Sequence, residues 1–157
     1  KVLWANGALA GDDTDGHIDQ LARFVAPGCV VAARQPDRND PNHESLEANF
    51  DLLKKFKDAC GRLLDVVPID LPPNVCFGDV QLPASYLNFS ILNGGVIVPT
   101  FQHELDINAI KTIQKFFPQR EVIAFPALEL IRGRGAVHCV TSQQPALECS
   151  EAGNMPA

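Results

Sequence analysis

Gly28-Cys29-Val30-Val31-Ala32 and Gly94-Gly95-Val96-Ile97-Val98 superpose at an offset of 66 residues, and the chain around each follows the same course. Ahead of the first, His17-Ile18-Asp19 opens a strand that continues through Ala22-Arg23-Phe24-Val25, and Pro27-Gly28 turns the chain back into Cys29-Val30-Val31-Ala32-Ala33. Leu46, Phe50, Leu53 and Phe56 then recur at helical spacing, which predicts a helix over 45–59 ended by Gly61, and a strand follows over 63–67. The second course repeats the first. A strand is predicted over 85–91, Asn93-Gly94 forms the hairpin turn, and Val96-Ile97-Val98-Pro99 returns. Ile107, Ile110, Ile113 and Phe117 mark a helix, and Glu121-Val122-Ile123-Ala124 a last strand. The chain therefore reads as two copies of a strand-turn-strand-helix-strand unit. A repeat of this kind points to a propeller or array of supersecondary units, the alternative being one α/β sandwich with chance similarity.

Outside the repeat, Val2-Leu3-Trp4 reads as a short buried strand, and Gly133-Arg134-Gly135 leads into one more strand at 136–142. The tail lacks apolar periodicity. The chain opens on Lys1, not Met, and runs at once into apolar residues, as expected of a sequence that starts within a larger protein. At 157 residues, 46% hydrophobic and 20% charged, it has the composition of a globular domain with a sizeable core. A net charge of −6 makes nucleic acid a poor partner and a small cation a better one. The longest apolar runs are too short to cross a bilayer. The five cysteines are irregularly spaced with no CxxC pair, which argues against a disulfide framework or zinc site and for a reducing, cytoplasmic setting.

Two stretches could carry chemistry. Asp12-Asp13-Thr14-Asp15-Gly16-His17-Ile18-Asp19 packs four carboxylates and an imidazole into eight residues. A solvated acidic loop is one reading. A calcium loop centred on Gly16 fails, because Gly11 and Ala22 stand where acids are required. Recognition of a cation is the third: on a strand, His17 and Asp19 face the same way, giving a proton carrier beside an anchor for positive charge. The second stretch is Cys139 behind the glycines Gly133 and Gly135, whose backbone freedom would let a substrate approach. Cys139 is either a buried inert residue or a nucleophile whose thiolate a nearby cation stabilises. On a strand His138 points away from Cys139, whereas His17 could converge on it from another unit.

The block Gly11-Asp12-Asp13-Thr14-Asp15-Gly16-His17-Ile18-Asp19 with Leu21-Ala22-Arg23-Phe24 resembles the central motif of agmatine deiminases. Ser85-Tyr86-Leu87-Asn88-Phe89 resembles a second block of that family, and Val137-His138-Cys139-Val140-Thr141-Ser142-Gln143-Gln144-Pro145 its nucleophile block; Asp40-Pro41-Asn42 also fits. The resemblance covers residues 1–146 and implies the C-terminal part of a pentein, a five-module α/β propeller. Repeat units would lie at about 16–70 and 84–126, a nucleophile strand at 136–142 and a tail at 147–157. It further implies an upstream half with a Trp-x-Arg-Asp and a Glu-Gly-Gly block. Cys139 would be the nucleophile, His17 the acid/base, Asp19 the grip on the guanidinium and Asp13 the partner of agmatine's distal amine. No metal or organic cofactor is implied, and homodimerisation stays open. The sequence departs from the family at Arg134, usually glycine, at Ala136, commonly Asn, and at Ser142, usually Gln. A peptidyl-arginine deiminase of the same superfamily, an amidinotransferase and a non-catalytic guanidine-binding remnant are the competing readings.

Overall fold

The computed structural model describes residues 2–73 and 75–144, so the tail and Cys149 lie outside the described residues. Ten elements follow in order: β1 (Ala22–Ala26), β2 (Cys29–Arg34), α1 (His43–Leu53), β3 (Asp65–Asp70), β4 (Cys76–Phe77), β5 (Val80–Gln81), β6 (Ser90–Ile91), β7 (Gly95–Thr100), α2 (Leu105–Phe116) and β8 (Glu121–Pro126). Short 3-10 turns lie at Ile18–Gln20, Leu130–Gly133 and His138–Val140.

The repeat is present. β1 and β2 pair antiparallel around Gly28, and β2 pairs parallel with β3 from Cys29↔Asp65 to Arg34↔Asp70. β6 and β7 likewise pair antiparallel around Asn93-Gly94, and β7 pairs parallel with β8 from Gly95↔Glu121 to Thr100↔Pro126. Each helix is the crossover that a parallel pair requires. The result is two separate three-stranded sheets of order β1-β2-β3 and β6-β7-β8, with a two-residue hairpin, β4-β5, between them.

β2 is buried on both sides and its side chains sort by parity. Val31 and Ala33 enter a large core shared with Leu46, Tyr86, Phe89, Val96, Val98 and Ile113. Val30 and Ala32 enter a smaller cluster with Ala22, Leu53 and Leu64. The two units are thus joined through one apolar interior. No helix among the described residues is long and apolar enough to cross a membrane.

Five expectations about elements are corrected. The first helix ends at Leu53, where the backbone tightens so that the Lys55 and Phe56 amides donate to the Leu52 and Leu53 carbonyls (both 3.0 Å); further on, Asp58 Oδ1 accepts the amides of Cys60 (2.8 Å) and Arg62 (2.9 Å) and closes a separate turn. Gly61, at φ 80°, serves that turn instead of the helix end. Residues 2–4 form no strand, and Val2 and Trp4 are 74% and 79% exposed. His17-Ile18-Asp19 lies in a 3-10 turn, so the strand begins only at Ala22. Residues 85–89 turn as well, with the Asn88 amide donating to the Ser85 carbonyl at 3.2 Å. Finally, 136–142 is not a strand. The amides of Ala136, His138 and Cys139, which a ladder would use, donate instead to Asn88 Oδ1 at 3.1, 3.0 and 3.3 Å.

Candidate active site

The acidic stretch is organised by one of its own carboxylates. Asp12 Oδ1 accepts from the Thr14 amide (2.9 Å) and hydroxyl (2.6 Å), and Oδ2 from the Gly16 amide (3.1 Å). Burial pushes the Asp12 carboxyl up, but these hydrogen bonds and the nearby His17 outweigh it, so it lies below its ordinary value. Gly16, at φ 93°, lies so close to the Gly7 carbonyl that a Cβ would come within 2.7 Å of it. The chain then enters the 3-10 turn, which sends Gln20 into the core and turns Asp19 toward the second unit.

Asn88, 1% exposed, is the hub of the site. Its carbonyl oxygen collects the three amides of the 136–139 segment, while its Nδ2 donates to Asp19 Oδ2 (3.1 Å) and to Cys139 Sγ (3.1 Å). Asp19 Oδ2 also meets His138 Nδ1 at 2.6 Å and Cys139 Sγ at 3.6 Å. The other oxygen, Oδ1, is buried and has no hydrogen-bond partner among the described residues. A buried carboxylate oxygen without a donor is costly unless a donor arrives.

Cys139 is exposed as a residue, with its sulfur against Asn88 and Asp19. Burial of that sulfur pushes the thiol pKa up, hydrogen bonds from Asn88 and the Ala136 backbone act downward, and Asp19 adds to the rise; the net shift is upward. Arg23 of β1 is the nearby cation. Its Nη1 donates to the carbonyls of Leu87 (3.1 Å) and Phe89 (2.9 Å), and its guanidinium lies 4.7 Å from the Phe89 ring centroid. Burial lowers its pKa, and the charges of Asp19 and Cys139 act the other way. Gly135 matters for space: a Cβ there would sit 2.7 Å from Cys139 Cβ and 3.1 Å from Sγ.

Asp19 and Cys139 are therefore brought together from distant sequence positions. His17 is exposed, and its imidazole makes no hydrogen bond among the described residues. Since residues 17–19 are not a strand, the same-face argument for His17 and Asp19 does not apply. Neither Gly133 nor Gly135 has a positive φ; Arg134 between them does, at 63°, which accounts physically for a glycine preference there. Arg134 Nη1 donates to the Gly11 carbonyl (3.0 Å), and its Nε stands 3.7 Å from Asp13 Oδ2. Asp13 thus already faces a cation. Asn88, Arg23 and His138 were given no site role by the sequence. Asn88 was visible only as a member of the Ser85–Phe89 block, with nothing to mark it out from its neighbours. Among the described residues no group of three or more His, Cys, Asp or Glu is disposed to hold a metal ion.

The α/β chain of two like units that presents this thiol, carboxylate and shared amide is similar in fold to solved deiminase structures. The chain belongs to the Porphyromonas-type peptidyl-arginine deiminase family, whose sequence model matches residues 1–145. Agmatine deiminase of Stutzerimonas stutzeri is 37% identical over 93% of this chain and 45% of its own length. A Porphyromonas gingivalis crystal structure is 44% identical with a TM-score of 0.86, over 88% of this chain and 41% of that one. Agmatine deiminase of Enterococcus faecalis is 31% identical with a TM-score of 0.81, over 87% and 43%. The chain spans less than half the length of the curated relatives it matches.

Proposed function

We propose that this chain forms the nucleophile-bearing part of a pentein-type propeller that hydrolyses agmatine to N-carbamoylputrescine and ammonia. The observation that carries the reading is the pairing of Cys139 Sγ with Asp19, 3.6 Å away, whose second oxygen is buried and unpartnered. A guanidinium supplies what both groups lack. Its N–H donors suit Asp19 Oδ1, and its positive charge opposes the burial and the Asp19 carboxylate that together hold the thiol pKa up. Cys139 then gives its proton to His17 and attacks the guanidinium carbon. The tetrahedral adduct expels ammonia, with His17 giving the proton, and a thiouronium ester remains on Cys139. Water, deprotonated by His17, adds to that carbon; the C–S bond breaks and returns the thiol and the ureido product. The sum is one guanidinium and one water to one urea and ammonium. In this reading agmatine is a precursor of putrescine, and a second guanidinium-gripping acid comes from outside this chain.

A peptidyl-arginine deiminase is the second reading. What favours it is Arg134, which stands beside Asp13 and competes with a distal ammonium for that carboxylate. The test is Cys139→Ser in the whole protein that contains this chain, with ammonia release measured from agmatine and from a peptidyl-arginine ester. The serine variant is expected to release none, because no base here is strong enough to ionise a hydroxyl. Near wild-type turnover by that variant would remove Cys139 as nucleophile. Wild-type turnover of the ester alone would select the second reading.

A further inference from the structure

His138 precedes Cys139 on the same 3-10 turn, yet its imidazole reaches Asp19 instead of the sulfur. The carboxylate of Asp19 is attached through a soft torsion that lets its two oxygens exchange places. Two donors stop that rotation by taking Oδ2: Asn88 Nδ2 at 3.1 Å and His138 Nδ1 at 2.6 Å. Oδ1 is left buried, with no hydrogen-bond partner among the described residues. A carboxylate in this role has no proton to give, so Nδ1 carries one, in either the neutral Nδ1–H tautomer or the imidazolium. One short turn thus delivers both the sulfur and the pin that fixes the carboxylate beside it. The charged or titratable groups around this pin are Asp19, Cys139 and, acting on both of them, Arg23 of β1.

We propose that His138 is a positioning residue: it holds Asp19 by Oδ2 so that Oδ1 and Cys139 Sγ face the same guanidinium, without itself touching substrate. The inference rests on the reading of Asp19 as the guanidinium grip. It separates His138 from His17, since a pin needs a donor while a proton carrier needs a titration.

The experiment compares His138→Asn and His138→Leu in the whole protein that contains this chain, with Cys139→Ser as the control. The Asn side chain places an N–H donor close to where Nδ1 stands; Leu fills similar space with no donor. His138→Leu is expected to lose about 100-fold in kcat/KM, the order of loss that a small misplacement of a reacting group brings. His138→Asn is expected to stay within about tenfold of wild type and to keep the wild-type pH profile of kcat/KM, because pinning does not require titration. Disappearance of one limb of that profile in His138→Asn would make His138 a proton carrier and overturn the proposal. So would equal loss in the Asn and Leu variants at unchanged melting temperature, or a Leu variant within threefold of wild type. Should the Leu variant fail to fold, the activity and pH profile of the Asn variant decide alone. If Cys139→Ser keeps turning over, the underlying function falls first; if it is dead while His138→Leu is unimpaired, only this inference falls.

Discussion

In the first repeat unit β1 runs for five residues before the hairpin turn; in the second, β6 runs for two. The parallel pairs behind them are of equal length, six residues each in β2-β3 and β7-β8. The difference lies wholly on the side where each unit enters its hairpin. The first unit keeps its strand and brings in Asp19 on a 3-10 turn ahead of it. The second gives up most of its strand, folds residues 85–89 into a turn, and so carries Asn88 beneath the 136–139 segment. Arg23 of the first unit caps the carbonyls of Leu87 and Phe89 that this turn leaves free. One unit contributes an anion with a vacant oxygen, the other a neutral amide with every polar group in use. Regular pairing is sacrificed where a side chain can satisfy the backbone in its place.

That contrast predicts the largest effects. Asn88→Ala strands the Ala136 and Cys139 amides, leaves the His138 amide only the residue-88 carbonyl, and removes two donor contacts, so the protein should lose about 3 kcal/mol or more of stability, read by urea unfolding. Asp19→Asn removes a charge but keeps the shape, and should cost about 1 kcal/mol or less while abolishing ammonia release. The same variant should lower the pH midpoint of Cys139 alkylation. Asp19 raises the thiol pKa, so its removal leaves more thiolate at a given pH. Equal stability losses at both positions would break the assignment of one unit to structure and the other to chemistry.

Periodicity made the parallel pairs legible. Val30 through Ala33 form a buried run, and Val96 and Val98 are buried on either side of a half-buried Ile97; in both the apolar strand character of the sequence is kept. The site was legible in part. Cys139 and Asp19 belong to blocks that stand out in the sequence, and they meet. Residues 17–19, 85–89 and 136–142 read as strands in the sequence but turn in the structure. Asp12 folds the loop just ahead of 17–19, the Ser85 hydroxyl accepts the Leu87 amide, and Asn88 takes the amides of 136–139 in place of a ladder; no local pattern announces that last partner, 48 to 51 residues away. The roles of His138 and Arg23 were hidden likewise, since each depends on a group in the other unit or beyond it.

A smaller effect is expected at the turn that carries Cys139. Gly133 and Gly135 look equivalent in sequence, but a Cβ at Gly133 meets nothing within 4 Å, while one at Gly135 strikes Cys139. Gly135→Ala should therefore reduce kcat by about 10- to 100-fold with little change in KM, through displacement of the sulfur. Gly133→Ala should leave both parameters within about twofold. Indistinguishable kinetics for the two variants would mean that the turn tolerates movement of Cys139.

The smallest expected effect concerns Arg134 and the first unit's acidic loop. Arg134 sits in the left-handed region, where a non-glycine residue costs about 1 kcal/mol. Against that stand its bond to the Gly11 carbonyl and the pairing with Asp13, both side chains of the pair being substantially exposed. An exposed pair contributes roughly 0–1 kcal/mol, so Arg134→Gly should change stability by less than about 1 kcal/mol in either direction. Its consequence should appear in substrate choice. Removal of the guanidinium frees Asp13 for a distal ammonium, and KM for agmatine should fall about two- to fivefold while kcat holds, since a remote ion pair contributes uniform binding. Asp13→Ala should do the reverse, and the double variant should match Asp13→Ala alone, because Arg134 would act only through that carboxylate. A peptidyl-arginine ester has no free ammonium at that end, so its KM should respond to neither change. Equal responses of the two substrates would place the distal end of the substrate away from Asp13 and make the Arg134–Asp13 pair a tie between two loops.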